Sequence, residues 1–147
     1  MNTKEVKLNS AQETFEFGQT LGKKCISAEL FTLSGDLGAG KTTLTQGIAS
    51  GLGYKGVVNS PTFNILKQYK LNSPNISYLY HIDAYRLKSE ADLIDLGIEE
   101  ILENEDAVVV IEWPEKIKDI LPRIYTEISI KSIDDNSRML TYKQVSK

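Results

Sequence analysis

Cysteine, proline and long hydrophobic runs are scarce in this chain. Its 147 residues include one cysteine, Cys25, so a disulfide within the chain and a cysteine-based metal cluster are excluded. No apolar stretch approaches the about 20 residues that a membrane-spanning helix needs. The first five residues also lack the apolar core of a signal peptide. These absences favour the reducing cytoplasm, and we expect Cys25 to be a small buried residue.

Neither sign of charge dominates the chain. The 17 basic and 20 acidic residues give a net charge of −3. This balance argues against an extended nucleic-acid footprint, although a local basic patch is still compatible with it. The apolar content of 41% and the charged content of 25% are ordinary for a globular protein. The length suits one domain spanning residues 1–147.

The sequence does contain a phosphate-binding motif. Residues 35–42 match G-x-x-x-x-G-K-[ST], the loop of P-loop NTPases. In this motif backbone N–H groups hold phosphate oxygens, the lysine reaches the β- and γ-phosphates, and the hydroxyl coordinates Mg²⁺. The residues that we predict to bind the nucleotide here are Gly35, Asp36, Leu37, Gly38, Ala39, Gly40, Lys41, Thr42 and Thr43.

The surroundings of the motif agree with this interpretation. The β-rich run Glu29–Ser34 precedes the loop, and Leu44 and Ile48 follow it with the spacing of one helix face. Gly51 and Gly53 then end the helical pattern. A strand, a loop and a helix in this order bring the positive end of the helix dipole to the phosphate site.

The remaining patterns predict a mixed sheet with short helices. Strands are expected at residues 4–8, 107–111, 124–130 and 138–143, and a hairpin at 63–71 and 76–83. A capping box at residues 10–13 begins one helix, and Ser89 begins another that Gly97 breaks. We therefore predict an α/β fold, a single P-loop NTPase domain whose mixed parallel and antiparallel sheet is flanked by short helices.

Two carboxylates follow β-rich runs and complete a candidate catalytic site. Glu112 comes directly after the apolar run 107–111, at the sheet edge where open α/β folds bind ligands. It is a candidate to hold Mg²⁺, directly or through water, or to orient the attacking water; the alternative is a strand-end carboxylate that meets solvent. Asp83 closes another run and is a second candidate for the metal or the water, with a turn or helix-cap aspartate as the alternative.

Three further residues have two interpretations each. His81, the only histidine, is more often packed and hydrogen-bonded at such a position than catalytic. Arg86 pairs either with a phosphate or carboxylate, or with a surface partner. Trp113 belongs either to the core or to a cover over the nucleotide.

Three segments besides the P-loop now align with a known family. They are Ser-Pro-Thr-Phe at 60–63, Tyr-His-Ile-Asp-Ala-Tyr-Arg-Leu at 80–87 and Ile-Glu-Trp-Pro-Glu at 111–115. Together with residues 35–43 they resemble the bacterial TsaE (YjeE) family, a small ATPase required to make threonylcarbamoyladenosine in tRNA. The resemblance covers nearly the whole chain. One departure is Ala84, where a larger apolar residue is common.

The resemblance implies ATP and Mg²⁺ as cofactors, slow intrinsic hydrolysis and action on a complex of TsaD and TsaB, with contact to tRNA only indirect. It implies that Lys41 and Thr42 contact phosphate and Mg²⁺, that Glu112 and Asp83 are metal and catalytic carboxylates, and that residues 60–63 form a switch-like loop. It also places a set of residues near the nucleotide, namely Trp113 and, on the adenine side, Ala11 within 10–12, Ser137 and Arg138.

Three other functions compete with this interpretation. A small-molecule P-loop kinase usually needs an arginine-bearing lid, and the chain has only Arg86, Arg123 and Arg138. A GTPase needs an Asn-Lys-x-Asp motif, which the sequence lacks. A nucleotide-binding regulator without turnover differs from the ATPase only in rate. No arginine is obvious near the phosphates, and such a residue contributes roughly 10³ to 10⁵ in rate, so we expect slow hydrolysis without partners.

Overall fold

The computed structural model describes residues 3–36, 38–59, 61, 65–85, 87 and 89–146. The predictions at Leu37, at Arg86 and at three of the four residues of the 60–63 loop lie outside these ranges. The strands are β1 Lys4–Leu8, β2 Glu29–Ser34, β3 Leu66–Lys70, β4 Tyr78–Asp83, β5 Ala107–Glu112, β6 Ile124–Ser132 and β7 Arg138–Ser146. The helices are α1 Ala11–Lys24, α2 Lys41–Gly51, α3 Glu90–Ile94 and α4 Ile98–Glu103, with 3-10 turns at Pro114–Lys116 and Lys118–Ile120.

The seven strands form one sheet in the order β1-β7-β6-β2-β5-β4-β3. Strands β6, β2, β5 and β4 run parallel, and antiparallel strands flank them on both sides. The predicted mixed sheet is therefore confirmed, as is the hairpin, whose first strand begins at Leu66. All six residues of β5 are buried, as expected for a central strand covered on both faces.

Each face of the sheet has its own apolar core. Because strand side chains alternate between faces, Val108 and Val110 pack with Leu44 and Ile48 of α2. Val109 and Ile111 lie on the opposite face and pack with Ile98, Ile101 and Ile117. Among the helices in the described ranges, none is long and apolar enough to cross a membrane.

Helix α1 starts with the predicted cap. The Ser10 hydroxyl accepts a hydrogen bond from the Glu13 amide at 3.1 Å. The Glu13 carboxylate accepts from the Asn9 amide at 3.3 Å, one residue earlier than in a regular capping box. At the other end Cys25 is only partly buried and forms the C-cap. Burial there raises the pKa of its thiol to about 12, which favours the protonated form at neutral pH.

Helices α1 and α2 pack backbone against backbone and run in the same direction. A Cβ at Gly18 would lie 2.9 Å from Gly47 Cα, and one at Gly22 would lie 3.0 Å from Gly51 Cα. The two glycines of each helix are four residues apart, so both contacts lie on one helix face. They leave no room for side chains between the helices. Parallel packing also brings the first residue of α1 to the same end of the molecule as the start of α2.

Candidate nucleotide-binding site

The phosphate-binding loop connects the end of β2 to the start of α2. Gly38 has a φ of 81° and Gly40 a φ of 108°, a region that glycine enters without the steric cost of a side chain. Gly40 is the N-cap of α2 and no side chain caps that end. The first amide bonded back along the helix is that of Leu44, to the Gly40 carbonyl. The amides of Lys41, Thr42 and Thr43 precede it, and amides at such a helix start are suited to donate hydrogen bonds to an anion.

The Lys41 side chain is buried at this loop, with 5% of its surface exposed. Its ammonium donates a hydrogen bond to the Gly35 carbonyl and lies 3.9 Å from the centroid of the Trp113 ring. Burial lowers the pKa of Lys41, while the carboxylates of Glu112 and Asp83 oppose that shift. The ammonium thus lies in the electrostatic field of both candidate carboxylates.

The two predicted carboxylates end neighbouring parallel strands. Asp83 of β4 and Glu112 of β5 are register partners, so both side chains are on the sheet face that α2 covers. Glu112 is only 3% exposed, and its Oε2 lies 2.6 Å from His81 Nε2. The alternative of a carboxylate that simply meets solvent is therefore wrong for Glu112. Asp83 accepts a hydrogen bond from the Tyr85 amide at 3.0 Å, as a turn aspartate does.

The oxygen donors at this edge fit Mg²⁺ bound together with a nucleotide. No group of three or more His, Cys, Asp and Glu side chains that could hold a metal occurs in the described part of the chain. Mg²⁺ rarely needs such a cage, because it keeps several waters and binds one or two protein oxygens together with substrate phosphates. The hydroxyl of the partly exposed Thr42 and the carboxylates of Glu112 and Asp83 are donors of this kind.

Trp113 fits the core interpretation and also lies next to the P-loop lysine, while its role as a cover over the nucleotide remains a prediction. Its ring is partly buried against the core cluster that contains Ile111, and the same ring covers the Lys41 ammonium. The backbone is left-handed, with φ 59°, which is uncommon for a residue with a side chain. The Tyr85 ring, 45% exposed, packs on Trp113 with centroids 4.9 Å apart. An aromatic pair therefore lines one side of the loop.

The start of α1 and the β6–β7 hairpin meet on the other side. Leu8 at the end of β1 pairs with Arg138 at the start of β7, and Ala11 is exposed three residues later. The Arg138 guanidinium lies against Gly40, where an added Cβ would be 3.4 Å from Cζ. Ser137 is buried and its carbonyl closes the turn by accepting from the Ile133 amide at 2.9 Å.

Arg138 corrects the expectation that no arginine lies near the phosphate loop. Its Nε is buried and has no hydrogen-bond partner among the described residues. The sequence predicted Arg138 only through the family resemblance and on the adenine side. Its contact with Gly40 depends on the registers of β2 with β6 and of β6 with β7, and no local pattern encodes those registers.

A cavity of about 750 Å³ lies at the opposite end of the sheet. Its walls come from the first residues of β2 and β6, the later part of β7, and α1. Ligands of open α/β sheets bind at the carboxyl ends of the parallel strands. The candidate site is therefore the P-loop edge and not this cavity.

Comparison with known proteins agrees with the fold and the motifs. The family profile described as "Threonylcarbamoyl adenosine biosynthesis protein TsaE" matches residues 8–140. The tRNA threonylcarbamoyladenosine biosynthesis protein TsaE of Bacillus subtilis is 43% identical over 80% of this chain and 70% of its own length. The protein of that name from Rickettsia typhi is 38% identical over 93% of this chain and 92% of its own length.

A solved structure has the same fold as this chain. The crystal structure of Bacillus subtilis YdiB superposes with a TM-score of 0.80 at 31% identity, covering 99% of this chain and 87% of that one. The profile match spans most of the chain, and both relatives exceed 30% identity over most of their length. The chain belongs to the TsaE family.

Proposed function

We propose that this protein is a Mg²⁺-dependent ATPase of the cytoplasm that serves tRNA threonylcarbamoyladenosine biosynthesis by acting on a complex of TsaD and TsaB. The observation that carries the proposal is the convergence of the uncapped start of α2, Lys41 and the paired carboxylates Asp83 and Glu112 at one edge of the sheet. Family membership supports a role in this pathway. In this proposal the protein contacts tRNA only indirectly.

The P-loop binds the triphosphate in the proposed mechanism. The amides at the start of α2 donate to phosphate oxygens, and Lys41 leaves the Gly35 carbonyl to contact the β- and γ-phosphates. Thr42, Glu112 and Asp83 would hold Mg²⁺, which neutralises charge developing on the phosphates. Arg138, which lies against Gly40, adds a positive charge next to the loop. Trp113, Ala11 and Ser137 border the nucleotide.

The two carboxylates, Glu112 and Asp83, have different roles in the proposed mechanism. Glu112 is buried, so its side chain is restricted in orientation. It is therefore suited to bind the metal or to orient the attacking water. Asp83 is more exposed and lies where its backbone amide bonds the Ile65 carbonyl at 2.8 Å. That bond ties the strand carrying Asp83 to Ile65, two residues after the 60–63 loop that in this proposal responds to the γ-phosphate.

Replacing Glu112 with glutamine is expected to reduce ATP hydrolysis by about 10²-fold or more, the scale of a lost catalytic carboxylate. Binding of a fluorescent ATP analogue should change much less, because the loop amides and Lys41 remain. Both are measured on the purified protein with Mg²⁺.

The matched control for this variant is Glu115→Gln. Glu115 is exposed and also acts on the charge of Lys41, but it follows the strand instead of ending it. Its replacement should leave hydrolysis close to that of the unmodified protein. Equal losses in the two variants, or no loss at Glu112, would reject Glu112 as a catalytic residue.

A further inference from the structure

His81 and Glu112 form a buried pair that the sequence did not connect. His81 is fully buried in β4, and its Nε2 lies 2.6 Å from Oε2 of Glu112 in the neighbouring β5. Both side chains are on one sheet face, because His81 is two residues before Asp83, the register partner of Glu112. The two residues are 31 positions apart in sequence.

The hydrogen-bonding chemistry assigns a direction to this contact. An ionised carboxylate only accepts hydrogen bonds, so the hydrogen of the pair belongs to His81 Nε2. In a neutral imidazole the other nitrogen, Nδ1, then carries none. Nδ1 of His81 is buried without a hydrogen-bond partner among the described residues. A buried polar atom without a partner has lost its hydration with no hydrogen bond in return, a cost that an apolar side chain at position 81 would avoid.

A histidine at this position, despite the cost of an Nδ1 unpartnered among the described residues, indicates that the Nε2 hydrogen bond has a role beyond packing. We propose that His81 is a positioning residue, which fixes the Glu112 carboxylate in the geometry that ATP hydrolysis needs. By holding Oε2, it restricts the rotamers of Glu112 and leaves Oε1 free of this bond. Hydrogen-bonded partners of metal-binding groups act in this way in other proteins. This inference rests on the proposed ATPase function.

Two substitutions separate positioning from packing. The amide of His81→Gln reaches about as far as Nε2 and can donate to Glu112, whereas the amide of His81→Asn is one bond shorter. Both variants lose the ring. We expect His81→Asn to lower kcat by about 10- to 100-fold with KM for ATP little changed, and His81→Gln to recover most of the loss. Equal reductions of kcat in both variants, or a change in KM for ATP without a change in kcat, would overturn the positioning role.

A double-mutant cycle tests whether His81 acts through Glu112. In the Glu112→Ala background, His81→Asn should have no further effect on kcat, whereas independent roles would give additive losses. If the unmodified protein hydrolyses ATP and Glu112→Ala lowers its kcat, but His81→Asn is unaffected, only the positioning role fails. If the unmodified protein hydrolyses no ATP with or without partners, the proposed function fails and this role fails with it.

One measurement does not depend on any variant folding. His81 is the only histidine of the chain, so its ¹⁵N-labelled imidazole gives one unambiguous set of NMR signals. We expect the tautomer protonated at Nε2, with a slowly exchanging proton. A tautomer protonated at Nδ1, or fast exchange of the Nε2 proton, would contradict the pair on which the role depends.

Discussion

Replacing Lys41 with alanine is expected to lower kcat/KM for ATP by about 10³-fold or more, since a positioned cation at the phosphates contributes on that scale. The side chain is buried, lies in the field of Glu112 and Asp83, and belongs to the loop that we propose to bind the phosphates. Arginine should not restore activity, because its planar guanidinium is larger than an ammonium and cannot replace it between Gly35 and Trp113.

The same variant has an optical readout. Trp113 is the only tryptophan, and the Lys41 ammonium lies 3.9 Å from its ring centroid. ATP should draw Lys41 towards the phosphates and change the Trp113 fluorescence, and Lys41→Ala should lose that response. Lys116→Ala is the control, because Lys116 is an exposed cation 5.8 Å from the Tyr85 ring centroid. Unchanged ATP affinity and rate in Lys41→Ala would reject the P-loop assignment.

Replacing Gly47 with alanine is expected to reduce the free energy of unfolding by about 1–3 kcal/mol, the usual cost of overpacking a core. Glycine to alanine inside a helix normally stabilises by up to about 1 kcal/mol, so the sign itself is informative. A Cβ at Gly47 would overlap the Phe15 carbonyl and lie 3.0 Å from Gly18 Cα. Both contacts are backbone, so helices α1 and α2 must move apart.

Urea unfolding with Gly97→Ala as the control measures this effect. Gly97 has a φ of 80° and nothing within 4 Å of an added Cβ, so its replacement adds backbone strain without a steric clash. Gly47→Ala should also weaken ATP binding, because α2 carries Lys41 and Thr42 at its start. A Gly47→Ala protein as stable as the unmodified one would show that the helices can separate at no cost.

Features encoded in contiguous residues were predictable from sequence. The glycines at 38 and 40 determine the loop conformation locally, and the apolar run before Glu112 identifies a central strand. The β3–β4 hairpin follows from alternation on both sides of a turn. In each case the pattern and the structure involve the same few neighbours along the chain.

Features that depend on how segments distant in sequence pair or pack were not predictable. The contact of Arg138 with Gly40 requires β2 to pair with β6 and β6 with β7, and the His81–Glu112 bond requires β4 to lie beside β5 in one register. The backbone contact between α1 and α2 depends on two separate glycine pairs that meet only in the folded protein. The binding of ATP and Mg²⁺ and the single-domain organisation remain predictions.

The most direct test of the proposed function is steady-state ATP hydrolysis with Mg²⁺, by the protein alone and with a purified TsaD–TsaB complex and tRNA, using Lys41→Ala as the blank. We predict slow hydrolysis alone, a clear increase with the complex, and no increase for Lys41→Ala. Equal rates with and without the complex, or transfer of the phosphate to a small-molecule acceptor instead of water, would contradict the proposed function.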